Sequence, residues 1–508
     1  MEKRYVGYSE YYHDAGMAIV NKDGTVEFAS QAERYSGRKY DAIIPPDMWR
    51  FVNKEDHVTF YEDYELRRTQ MGGYRTHGGW SIDGFNTERK EQTTVIYDSL
   101  LHDNFNSHHV SHNALAYFTR PWTSTEDTVL VSVDGSGELE SVSIMDHNFN
   151  VLHEVLWPQS LGCTYGNVVK SLGMKNLRDE YIIMGLSAYG KVNDKLYRLI
   201  YNSYHWYESD EAQKIRMKVQ MEGTAVAESQ LSWKYSQYIE RIHNMIRHGN
   251  ISKEDASATV QKFFEDEIME IMRIARQYGS KLVYSGGCAQ NVVANSMIRE
   301  LFDEMHISVN PTDAGSALGC AAMTWHKETG GTHLKDFSPY LGHNIERDID
   351  PKEVAEYLAE HRVCGVANGR AEYGPRALGN RSLLADVRYD VKDTVNDIKR
   401  RHRYRPFAPA ILSEYADEYF EGPMNEYMQY TAVAKHPYKS VTHLDGTARV
   451  QLVKPDCKSV LRQILEEYHK ITGVPMLLNT SLNIRNKPMV NTIEDAIEWE
   501  RNYNVKVF

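Results

Sequence analysis

The stretch TVLVSVDGSGELESVSIMDHNFNVLHEV, residues 128–155, decides the fold. An apolar, β-rich run, Thr128–Asp134, ends in an aspartate with Gly135 and Gly137 behind it. A second run, Ser141–Met145, a turn at Asp146–Asn150 and a third run, Val151–Val155, follow. The N-terminus has a related pattern. Tyr5–Tyr8 and Met17–Val20 lead into Asn21-Lys22-Asp23-Gly24, and Thr25–Ala29 runs back. Asp-Gly between apolar runs is a hairpin signal. Two strand–turn–strand units, with helical sequence between and after them, predict a duplicated α/β domain.

Further along, 252–277 has apolar residues every three or four positions, and Ser252 is placed to cap it as a long amphipathic helix. Lys281–Ser285 reads as a short buried strand running into Gly286-Gly287. Val309-Asn310 enters the loop PTDAGSALG, and Ala317–Trp325 is expected to be helical. Strand, glycine turn and helix in that order suit a nucleotide site. Composition shifts over 327–350, which reads as a linker to a second domain. Beyond it, 352–360, Lys458–Lys470 and Glu494–Trp499 read as helices, and Val363–Ala367 and Val474–Leu478 as strands.

The chain has 508 residues, too many for one hydrophobic core. No run approaches the ~18 apolar residues of a membrane span, and MEKRYVGYSEYY lacks the apolar segment of a signal peptide. The five cysteines, Cys163, Cys288, Cys320, Cys364 and Cys457, are scattered without a CxxC pair. A reducing cytosol, and hence a cytoplasmic protein, is the simplest setting. A net charge of −12 disfavours a whole-surface grip on nucleic acid but leaves room for a local basic patch.

Three segments carry the chemistry. In HHVSHNALAY, 108–117, a helix would put His108 and His112 on one face, four apart, with His109 pointing elsewhere. Two imidazoles so spaced can hold a divalent metal. A hydrogen-bonded histidine cluster is the other reading, and the spacing alone leans towards it. Asp134, closing its strand, and Asp313, in its glycine/alanine-rich loop, are candidate carboxylate ligands or ordinary turn and capping residues. Together the four would make a His₂Asp₂ site suited to iron, manganese or zinc. The second segment, GRAEYGPRALGNRSLLADVR (369–388), sets Arg370, Arg376, Arg381 and Arg388 among glycines. Glycine admits a ligand to the backbone and arginine forks match phosphate or carboxylate, so this loop reads as an anion site. The third, KRRHRYRPFAP (399–409), is basic and stiffened by Pro406 and Pro409. It reads as a rigid turn that contacts phosphate or nucleic acid. THLDGTARVQ adds Arg449 and LNTSLN adds Ser481.

These segments, with GYSEYYHDAGMAIV, QAERYSGRKYDAIIP, IIMGLSAYGK, SGGCAQN, PTDAGSALGCAA and PMLLNTSLNIRNKP, run through nearly the whole chain. In that order they resemble the O-carbamoyltransferases of the nodulation-protein and antibiotic-tailoring type. The resemblance implies an actin-like ATPase (RNase H-like) N-terminal domain over 1–340 and an α/β carbamoyl-adenylate-forming domain over 350–508. It implies that carbamoyl phosphate and ATP give carbamoyl-adenylate and pyrophosphate. The carbamoyl group then passes to an acceptor hydroxyl and AMP leaves.

By the same resemblance His108, His112, Asp134 and Asp313 become ligands of Fe(II) or another divalent ion such as manganese or zinc, and the metal reading overtakes the bland one. His13 becomes the base for the acceptor. Gly286, Gly287 and Asn291 are implied beside the nucleotide, and Gly135–Gly137 beside its phosphate. Arg376, Lys399, Arg405, Arg449 and Ser481 are implied at the carbamoyl phosphate and ATP site, with magnesium on the ATP. The chain departs from the family's pattern at Leu482, Asn486 and Lys487.

The acceptor stays open between a small sugar or natural product and a 5-hydroxymethylpyrimidine of nucleotide or DNA. A tyrosine-rich insert at 58–96, with Arg67, Arg68, Arg75 and Trp80, reads as a base-stacking surface or a solvated lid. No membrane partner is expected, and a homodimer is left open. The rival readings are an actin-like ATPase or kinase, a tRNA threonylcarbamoyl-transfer protein, and a non-catalytic nucleotide or nucleic-acid binder.

Overall fold

The computed structural model describes residues 3–11, 13–63, 66, 104–222, 225–249 and 251–508. Arg67, Arg68, Arg75 and Trp80 lie outside the described residues. The chain forms two compact units. The first comprises Met1–His57, Gln290–Glu300 and Ile307–Phe508, and the second comprises Val58–Ala289 and Leu301–His306.

The second unit is built on a five-stranded sheet. Its strands, in spatial order, are Val151–Leu156, Glu140–Met145, Thr128–Val133, Lys281–Ser285 and Glu304–Ile307. Thr128–Val133 is antiparallel to Glu140–Met145 and parallel to Lys281–Ser285. All six of its residues are buried. A strand covered on both faces needs such an unbroken apolar run, which is why TVLVSV shows little alternation. Helix His108–Phe118 packs on the two central strands, and Ser285 Oγ donates to Asn113 Oδ1 at 2.7 Å. Helix Lys253–Arg276 begins where expected, with the Ser252 side chain accepting from the Asp255 N–H. Helices Leu161–Ser171, Asp194–His205, Asp210–Glu222 and Ala225–His248 were not among the expected elements.

The first unit opens with a three-stranded antiparallel meander, Arg4–Ser9, Gly16–Asn21 and Val26–Gln31. This is the counterpart of the meander 128–156, so the expected duplication is present and the class is α/β. Helix Asp313–Thr329 lies on its first two strands at very short range. A Cβ on Gly7 would stand 2.0 Å from the Ala317 carbonyl oxygen, and one on Gly16 2.6 Å from that of Ala314. Glycine on the strands and alanine on the helix permit that approach.

The unit continues into a second sheet, in the order Val363–Ala367, Arg381–Ala385, Met476–Ser481, Ala408–Leu412 and Gln451–Val453. One face of this sheet packs Val354, Leu358, Ile464 and Leu465 from helices Pro351–His361 and Leu461–Thr472. A separate core cluster takes Trp499 from helix Ile493–Tyr503.

Three expectations are corrected. Helix Asp313–Thr329 starts four residues before Ala317, so Asp313 is its first residue rather than part of a loop. The segment 327–350 holds a strand, Tyr340–Ile345, paired with Gly369–Glu372, so it is not a bare linker. The segments read as an arginine loop and a rigid turn run into buried strands, Arg381–Ala385 and Ala408–Leu412.

Candidate active site

In the second unit the histidine helix, the end of strand Thr128–Val133 and the loop after Ser285 converge. His108 Nε2 and His112 Nε2 stand 3.1 Å apart, and Asp134 Oδ2 lies 3.0 Å from the second and 3.7 Å from the first. Both histidines are buried, at 1% and 2% exposure. Two nitrogens about 2.1 Å from one ion at the tetrahedral angle would stand roughly 3.4 Å apart, and at a right angle roughly 3.0 Å. Two imidazole nitrogens turned towards each other and towards one carboxylate oxygen therefore fit a divalent ion. Burial pushes the Asp134 carboxyl up, but the imidazoles of His108 and His112 beside it outweigh this and hold it well below the ordinary value.

His109 does something else. Its Nδ1 meets Ser143 Oγ at 2.7 Å, and burial pushes its imidazole down to about 3. It is a neutral core side chain at any ordinary pH.

The glycines around this centre serve close approach. Gly286 has φ +89°, and a Cβ there would stand 2.3 Å from the Val133 carbonyl oxygen; one on Gly287 would stand 3.1 Å from Asp134 Oδ1. They let the loop press against the aspartate. Gly135 N–H donates to Asp134 Oδ1 at 2.5 Å, and Ser160, capping helix Leu161–Ser171, donates to the Gly135 carbonyl at 2.6 Å. A Cβ on Gly137 would meet Glu140 Oε1 at 2.3 Å.

In the first unit, His13 sits in the turn between the first two strands. Its Nε2 is 3.5 Å from Asp313 Oδ2 at the start of helix Asp313–Thr329. Asp14, in the left-handed region at φ 54°, accepts from Thr312 Oγ1 at 3.1 Å and ties that turn to the helix start. Asn291, expected beside a nucleotide, caps helix Val292–Arg299 by accepting from the Ala294 N–H at 3.2 Å.

The same unit carries the arginines. Burial drives the Arg449 guanidinium well below its ordinary value, and the charged groups acting on it, Arg376 and Arg405, are both cations. Arg449 Nε is buried and makes no hydrogen bond among the described residues. The two residues after Arg376 are held by side chains from elsewhere in the unit. Asn479 Nδ2 donates to the Ala377 carbonyl and Gln451 Nε2 to that of Leu378, each at 3.1 Å. Glu372 Oε1 accepts from the N–H groups of Leu378, Asn380 and Arg381 at 2.8, 2.9 and 3.1 Å, which closes the turn that carries Arg376. Lys399 is buried with its side-chain nitrogen on the Ser481–Asn483 turn, within hydrogen-bond reach of both carbonyls, Ser481 Oγ and Asn483 Oδ1. Burial, then Arg401 and Arg405, push its pKa well down.

The expectation for the other three arginines of 369–388 is corrected. Arg381 is fully buried and donates to five backbone carbonyls, those of His343, Asn368, Gly369, Asn380 and Asn491. Arg370 donates to the carbonyls of Glu27, Leu341 and Gly342, and Arg388 pairs with Asp386 at 2.7 Å. These three guanidinia brace the fold. Sequence reasoning missed Glu62, Glu138 and Glu372. Glu372 lies inside a quoted motif, but a lone carboxylate there carries no periodic or spacing signal.

A family model described as the carbamoyltransferase N-terminus matches residues 89–322, and one described as the carbamoyltransferase C-terminus matches 355–508. Nodulation protein NolNO of Sinorhizobium fredii is 31% identical over 96% of this chain and 76% of its own length. The chain belongs to the carbamoyltransferase family. Nodulation protein NolO of Bradyrhizobium diazoefficiens is 30% identical, covering 77% of this chain and 75% of its own. An uncharacterized Synechocystis protein is 28% identical over 97% of this carbamoyltransferase and 93% of its own length. Among solved structures, component A of the (R)-2-hydroxyglutaryl-CoA dehydratase of Acidaminococcus fermentans is 14% identical over 65% of this chain and all of its own, at a TM-score of 0.37. That likeness is too distant to inform the chemistry. Among the described residues, no helix of this carbamoyltransferase is long and apolar enough to cross a membrane.

Proposed function

We propose that this carbamoyltransferase works in two half-reactions. Carbamoyl phosphate, ATP and water give carbamoyl-adenylate, phosphate and pyrophosphate. The carbamoyl group then passes to an acceptor hydroxyl, of a small sugar or natural product or of a 5-hydroxymethylpyrimidine in nucleotide or DNA, and AMP leaves. The observation that carries the reading is the gathering of Arg376, Arg405 and Arg449, with a buried Arg449 Nε that makes no hydrogen bond among the described residues. Like charges brought together in a poorly solvated place favour binding of an anion. Two polyanions must meet for adenylation, and fixed cations lower their repulsion. Ser481 borders this site on a turn that Lys399 holds, its Oγ donating to Asn483 Oδ1 at 2.6 Å. Magnesium accompanies the ATP. Assigning the first half-reaction to 350–508 and the second to 1–340 keeps each set of residues in its own part of the chain.

For transfer, His13 takes the acceptor's proton on its Nε2. Asp313, 3.5 Å away, steadies the imidazolium that results. His108, His112, Asp134 and Asp313 are the proposed ligand set, and their nitrogen and carboxylate donors suit iron(II), with manganese or zinc as alternatives. A divalent ion there supplies Lewis acidity towards the carbamoyl carbonyl or the phosphate of the departing AMP. Gly135, Gly137, Gly286 and Gly287 leave the backbone around Asp134 bare of side chains, which suits a nucleotide phosphate.

The test is a reconstitution with ATP, magnesium, iron(II), carbamoyl phosphate and a panel of hydroxyl acceptors, read by mass spectrometry. AMP, phosphate and pyrophosphate are expected, with one acceptor gaining a carbamoyl group in place of a proton. ADP as the product, or turnover independent of carbamoyl phosphate, would sink the reading.

A further inference from the structure

His108 is gripped from two directions by carboxylates outside the proposed ligand set. Its Nδ1 stands 3.1 Å from Glu62 Oε2, and the two side chains are buried to 1% and 4% exposure. Its backbone N–H donates to both oxygens of Glu138, at 2.8 and 3.1 Å. The N–H of Asp63, next to Glu62, donates to the same Glu138 oxygen at 2.8 Å. Glu138 thus fastens the segment that carries Glu62 to the start of the histidine helix, and the ring contact is built in rather than incidental.

A carboxylate only accepts, so the hydrogen of the Glu62–His108 contact belongs to Nδ1. A neutral imidazole has one N–H, so Nε2 keeps its lone pair, and that lone pair faces His112 and Asp134. Asp134 competes for the same proton at Nε2, but at 3.7 Å against 3.1 Å for Glu62. The nearer carboxylate wins. We propose that Glu62 is the positioning residue of this centre. It selects the His108 tautomer whose Nε2 is free of hydrogen, and so makes the site ready for a divalent cation before one arrives. This rests on the ligand reading made above, and it adds the residue that orients one ligand. Carboxylates behind metal-bound histidines contribute about 10- to 100-fold in affinity.

Two readouts test it. In metal-free protein with ¹⁵N-labelled histidine, His108, assigned by the signal lost in His108→Ala, should carry its hydrogen on Nδ1. Glu62→Ala should move it towards Nε2, and Glu62→Gln, whose amide oxygen still accepts, should leave it in place. By chelator competition, zinc(II) should bind Glu62→Ala about 10- to 100-fold more weakly than wild type, with Glu62→Gln between the two. An Nδ1–H tautomer and wild-type zinc affinity in Glu62→Ala would overturn the proposal. Should Glu62→Ala not fold, a Glu62→Gln variant with the wild-type tautomer supports the assignment, and one that loses it refutes the assignment. Wild-type protein that binds no zinc(II), yet shows the tautomer change, would refute the ligand set while leaving Glu62 as the group that orients His108.

Discussion

Charged side chains in this protein divide by what surrounds them. Arg381 spends its guanidinium on five backbone carbonyls inside the core, whereas Arg376 and Arg405 act as cations on Arg449 and are proposed with it to receive an anion. Arg381→Met leaves those carbonyls without their donor, and it is expected to lower stability by about 3–5 kcal/mol, read from the urea midpoint. Arg405→Ala should leave the fold in place and slow carbamoyl-adenylate formation by ~10²-fold or more, while transfer from supplied carbamoyl-adenylate continues. His108→Ala should do the reverse, sparing adenylate formation and stopping transfer. Loss of the same half-reaction in both would refute the division of labour. Little in the sequence separates the two kinds of arginine. GRAEYGPRALGNRS shows charge among glycines, but which guanidinia meet carbonyls depends on the packing of backbone from 343, 368 and 491.

Elements position these residues through close contacts. Helix Asp313–Thr329 brings Asp313 beside His13 because Gly7 and Gly16 let it sit almost on the backbone of the meander. Gly7→Ala puts a methyl group 2.0 Å from the Ala317 carbonyl oxygen, so the helix must shift. A stability loss of about 3 kcal/mol, with transfer impaired more than adenylate formation, is the expected outcome in thermal melts and half-reaction assays. Ser252→Ala removes the cap of Lys253–Arg276 and should cost about 1 kcal/mol, with both half-reactions unchanged. That helix was legible because its cap and its 3.6-residue period agree. The strand Arg381–Ala385 was not, because arginine and glycine around it mask a buried run.

At the scale of the whole molecule, stability carries a pH signature from the first unit. Burial pushes the Glu10 carboxyl up to about 8, from an ordinary 4.5, while its Oε1 accepts from the Ile44 N–H at 2.8 Å. The folded state therefore holds a proton that the unfolded chain gives up above about pH 4.5. Stability from this group is fully present below that pH and is lost as pH rises to about 8, with a slope of up to about 1.4 kcal/mol per pH unit. Glu10→Gln keeps the acceptor and cannot titrate. The stability difference between wild type and this variant should fall from pH 4.5 to 8 and be level above 8, as measured by urea unfolding across pH.

The α/β class, the doubled meander, the histidine helix and the family are all legible in the order of residues along the chain. Each is written in local signals: apolar runs ended by Asp-Gly or Gly-Gly turns, a four-residue histidine spacing, and motifs that keep their order along the chain. Tertiary structure decided which titratable groups meet. Glu62 reaches His108 across 46 positions, Glu372 closes the turn that carries Arg376, and Lys399 seats its side-chain nitrogen on Ser481. The physical reason is that spacing reports only neighbours along one helix or strand. A buried charge takes whichever partner folding brings within hydrogen-bond reach, and that partner is set by packing far from it in the chain.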